Sequence, residues 1–220
     1  MVVEPSQGIM VVADGMGGAP AGDVASALAV QEVAKGLHAG TGMEEAVQAA
    51  NRRILEIAKS QPAMSGMGTT LTALRVNPET KVYIVGHVGD SRAYILSGDT
   101  FSQISRDHTM VRDMVDAGRI PASAEREHPL GHILSRVLGT QADVAVDVVE
   151  GDLREGDRFL LCSDGLVRVM DGTEIEEWIR KVGTMPLEEL VDTMLGEANR
   201  RGAPDNVTVA LLTVENQAPA

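Results

Sequence analysis

The period of the apolar positions changes several times along the chain, and each change marks an element. Residues 8–13 (GIMVVA) form a short continuous apolar run that stops at Asp14-Gly15, which predicts a buried strand entering a tight turn. Residues 23–37 are alanine-rich with helical spacing. Thr41 and Glu44 then have the spacing of a capping box, and Met43, Ala46, Val47, Ala50, Ile54, Ile57 and Ala58 fall on one helical face, so a second amphipathic helix follows the first. From there the period switches to two. Residues 69–76, 81–88, 93–96 and 101–104 read as strands separated by turn residues at Asn77-Pro78, Gly89-Asp90 and Ser97-Gly98-Asp99, the pattern of an antiparallel meander.

Residues 105–140 are more polar, with helical pieces at 109–117 and 122–127 and little to anchor a core, and are expected to form a surface flap. Strands resume at 144–149 and 157–162, the latter ending in Asp164-Gly165. Two helices follow, the first with a capping-box pattern at Thr173 and Glu176, the second with Leu187, Leu190, Val191, Met194, Leu195 and Ala198 as its apolar stripe. Residues 207–214 close the chain as a strand. Strands in runs and helices in pairs predict an α+β fold, a four-layer αββα sandwich in which two antiparallel sheets stack and a helix pair covers each outer face. No repeat or linker divides it, so residues 1–214 are expected to form one domain and residues 215–220 a disordered tail.

Composition narrows the classes. With 220 residues, 44% hydrophobic and 23% charged, the chain is long enough to bury a substantial core. The one cysteine, Cys162, cannot form an internal disulfide and is expected to be a buried apolar residue. No apolar run reaches the roughly 18 residues of a membrane span, and the N-terminus lacks the pattern of a signal peptide, so the expected location is cytoplasmic, with no membrane partner. Acidic residues outnumber basic ones 32 to 19, and the formal charge of −13 argues against a nucleic-acid partner.

That acidity has a second possible meaning, a cation site, and position tests it. Asp14 (VVADGMGG), Asp90 (VGDSR), Asp164 (LLCSDG) and Asp205 (APDNVTV) each sit beside small or turn-forming residues at a strand terminus. One Asp-Gly is ordinarily a turn, but four carboxylates delivered to the same end of a sheet would repel one another unless a hard cation neutralised them. Oxygen ligands without histidine or cysteine favour Mg²⁺ or Mn²⁺ over zinc.

Six segments in order, VVADGMGG with AGDVAS, GMGTTLTAL, VGDSRAY, ISRDHTMVRDMVDAG with HPLGHILSRVLG, FLLCSDGL and PDNVTVALL, resemble the metal-dependent protein phosphatases of the protein phosphatase 2C type, in their bacterial branch. The resemblance implies a serine/threonine protein phosphatase that hydrolyses phosphoserine and phosphothreonine with a hydroxide bridging two divalent metals. It implies that Asp14 bridges two Mn²⁺ or Mg²⁺ ions with the Gly15 carbonyl on one of them, that Asp164 and Asp205 complete the first site, and that Asp90 shares a third, weaker ion with Asp164. Asn206 would steady the neighbouring aspartate, and the flap would meet the phosphoprotein substrate, a serine/threonine kinase among the implied partners. No particular residue is singled out for substrate binding.

Two departures qualify the resemblance. Only thirteen residues precede Asp14, and Glu4, their one acid, reads as a hairpin residue rather than a ligand. The family's phosphate-gripping arginine and the acidic pair for its second metal have no counterpart. An unpaired sheet edge and weak activity are therefore expected of the chain as written. Met16 stands where some relatives carry a histidine proposed as general acid, and a thioether donates no usable proton.

Other motifs carry less. DGMGGAPAGD lacks the Gly-Lys-Ser/Thr ending of a P-loop, and neither Ser91 nor Ser163 lies in a Gly-x-Ser-x-Gly elbow. His38, His87, His108, His128 and His132 share no ligand spacing. His87 is expected to pack in a strand, and the last three to belong to the flap. Trp178 reads as core, and Arg92 as a structural ion pair and the first substitute phosphate ligand to test. Two functions remain open, the phosphatase and a catalytically impaired phosphoprotein-binding or regulatory module of the same fold.

Overall fold

Alternation along the strands decides how the layers stack. In the computed structural model, which describes residues 1–16, 21–126 and 128–215, the elements run β1 (Val2–Glu4), β2 (Ile9–Val12), β3 (Gly15–Met16), α1 (Ala21–His38), α2 (Met43–Ser60), β4 (Gly68–Thr69), β5 (Leu71–Asn77), β6 (Val82–Val88), β7 (Arg92–Ser97), β8 (Thr100–Gln103), α3 (Met110–Asp116), β9 (Asp147–Asp152), β10 (Arg158–Cys162), α4 (Asp164–Val169), α5 (Gly172–Arg180), α6 (Leu187–Arg200) and β11 (Val209–Thr213). A five-stranded sheet has the order β1-β2-β5-β6-β9, a four-stranded sheet the order β11-β10-β7-β8, and β3 and β4 form a small pair. All named strand pairings are antiparallel.

Odd and even positions of the same strand face different layers. Ile9 and Val11 join Leu71, Ala73 and the inner faces of α1 and α2, whereas Met10 and Val12 turn the other way and meet Leu74, Val85, Phe159, Leu161 and Leu212 between the sheets. In the second sheet, Leu160, Cys162, Val209 and Leu211 face Leu166, Ile175, Ile179, Leu190 and Met194 of α4–α6. The molecule is thus an α+β protein whose described elements stack as helices, sheet, sheet, helices. Cys162 is buried and free, and Trp178 packs at the border of the second helical core with the Lys181 ammonium 3.8 Å over its ring.

Several boundaries differ from the sequence pattern, each for a local reason. The N-cap of α2 is Gly42, which has no side chain to cap with, and Thr41 stands one residue before it, its backbone N–H donating to the Gly36 carbonyl at the close of α1. The second capping box lies two residues earlier than expected. Asp171 and Glu174 bond reciprocally, and Glu176 instead pairs with Arg180 one turn on. The strand expected at 144–149 begins at Asp147, since Val144 is drawn into the α1/α2 core and its carbonyl accepts from Gln48 at 2.6 Å. The helix expected at 122–127 is a 3₁₀ turn at Ala122–Ala124, with Glu127 outside the described residues, as are 216–220 of the expected tail.

The segment 105–140 is also better anchored than its polarity suggests. Val111 and Leu138 are fully buried, and isolated bridges join Thr69 to Leu138 and Thr109 to Leu134. Glu4 ends β1 and forms an ion pair with His38 at the close of α1. The outer strands of the sheets are β1 and β9 in one, β11 and β8 in the other.

Candidate active site

A ladder of threonines sets the position of the first aspartate. Asp14 follows β2, where its N–H donates to Thr70 Oγ1 at 3.0 Å while its carbonyl accepts from the Thr70 N–H and the Thr69 hydroxyl, each at 2.9 Å. Thr70 Oγ1 is in turn 2.8 Å from Ser91 Oγ, and the Thr72 hydroxyl donates to the Ser91 carbonyl at 3.0 Å. GMGTTLTAL therefore fastens the Asp14 turn to the Asp90-Ser91 turn by side-chain bonds between neighbouring strands. Behind Asp14, a Cβ on Gly15 would lie 2.0 Å from the Gly22 carbonyl oxygen, so only a glycine lets the turn pass this close to α1.

Asp164 and Asp205 are joined in a similar way. Asp164 opens α4, and a Cβ on Gly165 would lie 2.4 Å from the Asn206 carbonyl oxygen, which brings the 205–206 turn against the start of the helix. The Ser163 hydroxyl donates to that carbonyl at 3.1 Å and accepts from the Thr208 N–H at 2.9 Å. Asn206 steadies Asp205 through its backbone, its N–H donating to Asp205 Oδ1 at 2.8 Å.

The four aspartates feel one another. Burial, followed by the charges of Asp164 and Asp205, pushes the Asp14 carboxyl up to about 6. Burial, followed by Asp164, Asp107 and Asp14, pushes Asp90 up to about 7. Among the described residues, however, no three histidine, cysteine, aspartate or glutamate side chains converge closely enough to hold an ion as they stand. The arrangement is a shared neighbourhood rather than a finished cage. Its donor chemistry suits a hard divalent cation: all-oxygen, mutually repelling, and with Asp164 Oδ1 buried and lacking a partner among the described residues.

Beside the carboxylates lies a cleft of about 580 Å³ between the 105–140 segment and the α4–α5 corner, lined among others by Asp90, Asp164, Arg168, Arg126, His128 and His132. His108 is not among the cleft-lining groups. It is fully buried, its backbone N–H donating to the Gly89 carbonyl at 2.7 Å, its Nδ1 accepting from the Gly89 N–H at 3.1 Å, and its Nε2 lying 3.0 Å from Asp147. Arg92 is likewise committed. Its Nε and one terminal nitrogen grip Asp107 at 2.7–3.0 Å, and the other donates to Tyr94 at 3.2 Å. Sequence reasoning missed the roles of Thr69, Thr70, Ser163, His108 and Asp107, whose contacts reach residues distant in the chain and have no spacing of their own, and it passed over Arg168, which bonds Asp164 directly.

The family model described as Protein phosphatase 2C matches residues 1–203. The chain belongs to the protein phosphatase 2C family. Within that family it is 36% identical over 216 residues to a serine/threonine phosphatase stp of Listeria innocua, covering 94% of this chain and 84% of the relative. The fold superimposes on the crystal structure of the Mycobacterium tuberculosis serine/threonine phosphatase PstP/Ppp with a TM-score of 0.84 and 34% identity, covering 94% of this chain and 88% of the other. A second solved relative, the catalytic domain of PstP in complex with 2 manganese ions, matches with a TM-score of 0.81 and 33% identity over 94% and 88% of the two chains. Protein phosphatase 2C structures that bind manganese therefore share the frame on which Asp14, Asp90, Asp164 and Asp205 are mounted.

Proposed function

We propose that this chain is a metal-dependent serine/threonine protein phosphatase, and that Asp14, Asp164 and Asp205, with the Gly15 carbonyl, hold two Mn²⁺ or Mg²⁺ ions while Asp90 and Asp164 offer a weaker third position. The observation that carries the reading is the electrostatic coupling of the four aspartates on a frame shared with a two-manganese relative. Such ions, when bound, supply Lewis acidity and a water acidified enough to attack a phosphate ester near neutral pH.

The chain's own contribution is placement. The Thr69/Thr70 ladder holds Asp14 against recoil from its neighbours, and the Ser163–Asn206 clasp does the same for Asp205. Asp14 and Asp90 must give up protons to accept an ion, so metal affinity rises with pH through the range of about 6 to about 7. Met16 offers no acidic proton, so this position supplies no general acid for the departing serine or threonine oxygen, a role that a water on the ions would have to fill. The cleft beside the aspartates is the space for a phosphorylated segment of a partner protein, a serine/threonine kinase being a natural candidate class. The proposed site of action is cytoplasmic; Cys162 is buried, and no helix among the described residues is long and apolar enough to cross a membrane.

Asp14→Asn tests the assignment. It keeps the size and the backbone bonds but removes the bridging charge, and turnover of a phosphothreonine peptide in Mn²⁺ is expected to fall by about a hundredfold or more with the circular-dichroism spectrum unchanged. Retained turnover would overturn the reading.

A further inference from the structure

Asp164 presents two unlike oxygens to the site. Oδ1 is buried without a partner among the described residues, whereas Oδ2 accepts from Arg168 Nε at 2.8 Å and from a terminal guanidinium nitrogen at 2.6 Å. Arg168 stands one turn further along α4, so the helix itself delivers the guanidinium to Asp164. Its charge is also drawn by Asp90 and Asp205, and it lines the cleft together with Asp90 and Asp164. Arg92, the other arginine beside Asp90 in sequence, is tied to Asp107 and Tyr94.

An i,i+4 ion pair on a helix surface is ordinarily worth little. This one is half sheltered, with the Asp164 side chain 13% exposed and the Arg168 side chain 41% exposed, and it points into a cluster of like charges. Unlike lysine, arginine keeps its charge in any surroundings and its fork fits a carboxylate edge. A divalent ion seated between Asp90 and Asp164 would either displace this fork or do without Oδ2 as a ligand, and in both cases would lie near a fixed positive charge.

We propose that Arg168 is a built-in counter-cation on the cleft side of the carboxylate cluster, where it stands with Asp90 and Asp164, and that it competes with a divalent ion there and so weakens the last ion the cluster takes up. The inference rests on the metal-site reading above and concerns how many ions the site takes and how tightly. It assigns to the chain itself a charge that would otherwise be drawn from the solution.

The test is isothermal titration of the metal-free full chain with MnCl₂, comparing the unaltered protein with Arg168→Gln and Arg168→Lys. Removing a unit charge a few ångströms from the ion is expected to tighten the weakest binding event by about tenfold in Arg168→Gln, or to bring one further event into range. Arg168→Lys, which keeps the charge, is expected to stay within about threefold of the parent. An unchanged or weakened last event in Arg168→Gln would overturn the proposal. Equal tightening in Arg168→Lys would also overturn it, because the helix contacts rather than the charge would then set the affinity. Two-ion binding by the parent combined with either result leaves the metal-site reading standing, whereas no Mn²⁺ uptake by the parent would remove both.

Discussion

His87 shows how far a single buried side chain can couple the site's frame to pH. The Thr72 hydroxyl donates to the Ser91 carbonyl, so the His87 Nδ1–H must be the donor in its 2.9 Å contact with Thr72 Oγ1, which leaves Nε2 buried and, among the described residues, unpaired beside the His108 ring, with centroids 4.8 Å apart. Burial, followed by the neighbouring His108, pushes its pKa down to about 4 from the ordinary 6.5. The unfolded chain therefore binds a proton that the folded chain refuses between these values. The resulting stability is fully present above about pH 6.5 and is lost as pH falls towards 4, on the order of 3 kcal/mol in all. Urea unfolding at pH 7 and pH 4.5 should show a smaller loss in His87→Asn, which keeps a donor towards Thr72 and cannot titrate. Equal losses in the two proteins would show that other groups dominate the acid limb.

At the scale of elements, the turns that carry the aspartates are held from neighbouring strands, while the helices are defined by their apolar faces and, in α3 and α5, by side-chain caps of their own. The α5 capping box is a self-contained example, with the Glu174 N–H donating to Asp171 Oδ1 and the Asp171 N–H donating to Glu174 Oε2, each at 3.0 Å. Asp171→Ala should lower Tm by about 2–4 °C in a thermal melt, while Thr173→Ala, at the position that the spacing alone suggests as the cap, should leave it within about 1 °C. Both patterns are present in the sequence. The carboxylate two residues earlier prevails because Glu176 is taken by Arg180, with Oε1 accepting at 2.6 Å and 2.9 Å. Thr41 likewise has the residue type of an N-cap but stands one residue before Gly42, its N–H donating to the Gly36 carbonyl at the close of α1.

Across the whole molecule, two sheets and two helical layers bring four turns that are distant in sequence into one electrostatic neighbourhood, and metal binding there should be felt as global stability. Mn²⁺ at about 100 times its Kd should raise the unfolding free energy by about 3 kcal/mol over the protein in EDTA. That gain should be larger at pH 8 than at pH 6, because Asp14 and Asp90, raised to about 6 and about 7, are ionised at the higher pH and accept the ion without releasing protons. Differential scanning fluorimetry at the two pH values checks both statements, and a gain that shrinks with pH would contradict the assignment of these two carboxylates. The layered architecture was legible from residues such as Ile9 to Val12 and Phe159 to Cys162, because period-two alternation reports which sheet face a side chain meets, whatever lies further away. The four aspartates were legible for a related reason, since chemistry at strand ends follows from where the apolar runs stop. What holds those aspartates in place was not. Thr70 reaches back 56 residues to Asp14, Ser163 reaches 43 residues forward to Asn206, and the anchoring of the 105–140 segment depends on His108 meeting Gly89 and Asp147. By itself the sequence determined most element types, the α+β class, the family and the placing of four aspartates where apolar runs stop, all of which are local patterns or ordered motifs, while the short helix α4 and the 3₁₀ turn at Ala122–Ala124 departed from it. Only the tertiary structure decided which arginine faces the carboxylates and which is occupied elsewhere, because an ion pair forms by proximity in space and leaves no period in the chain.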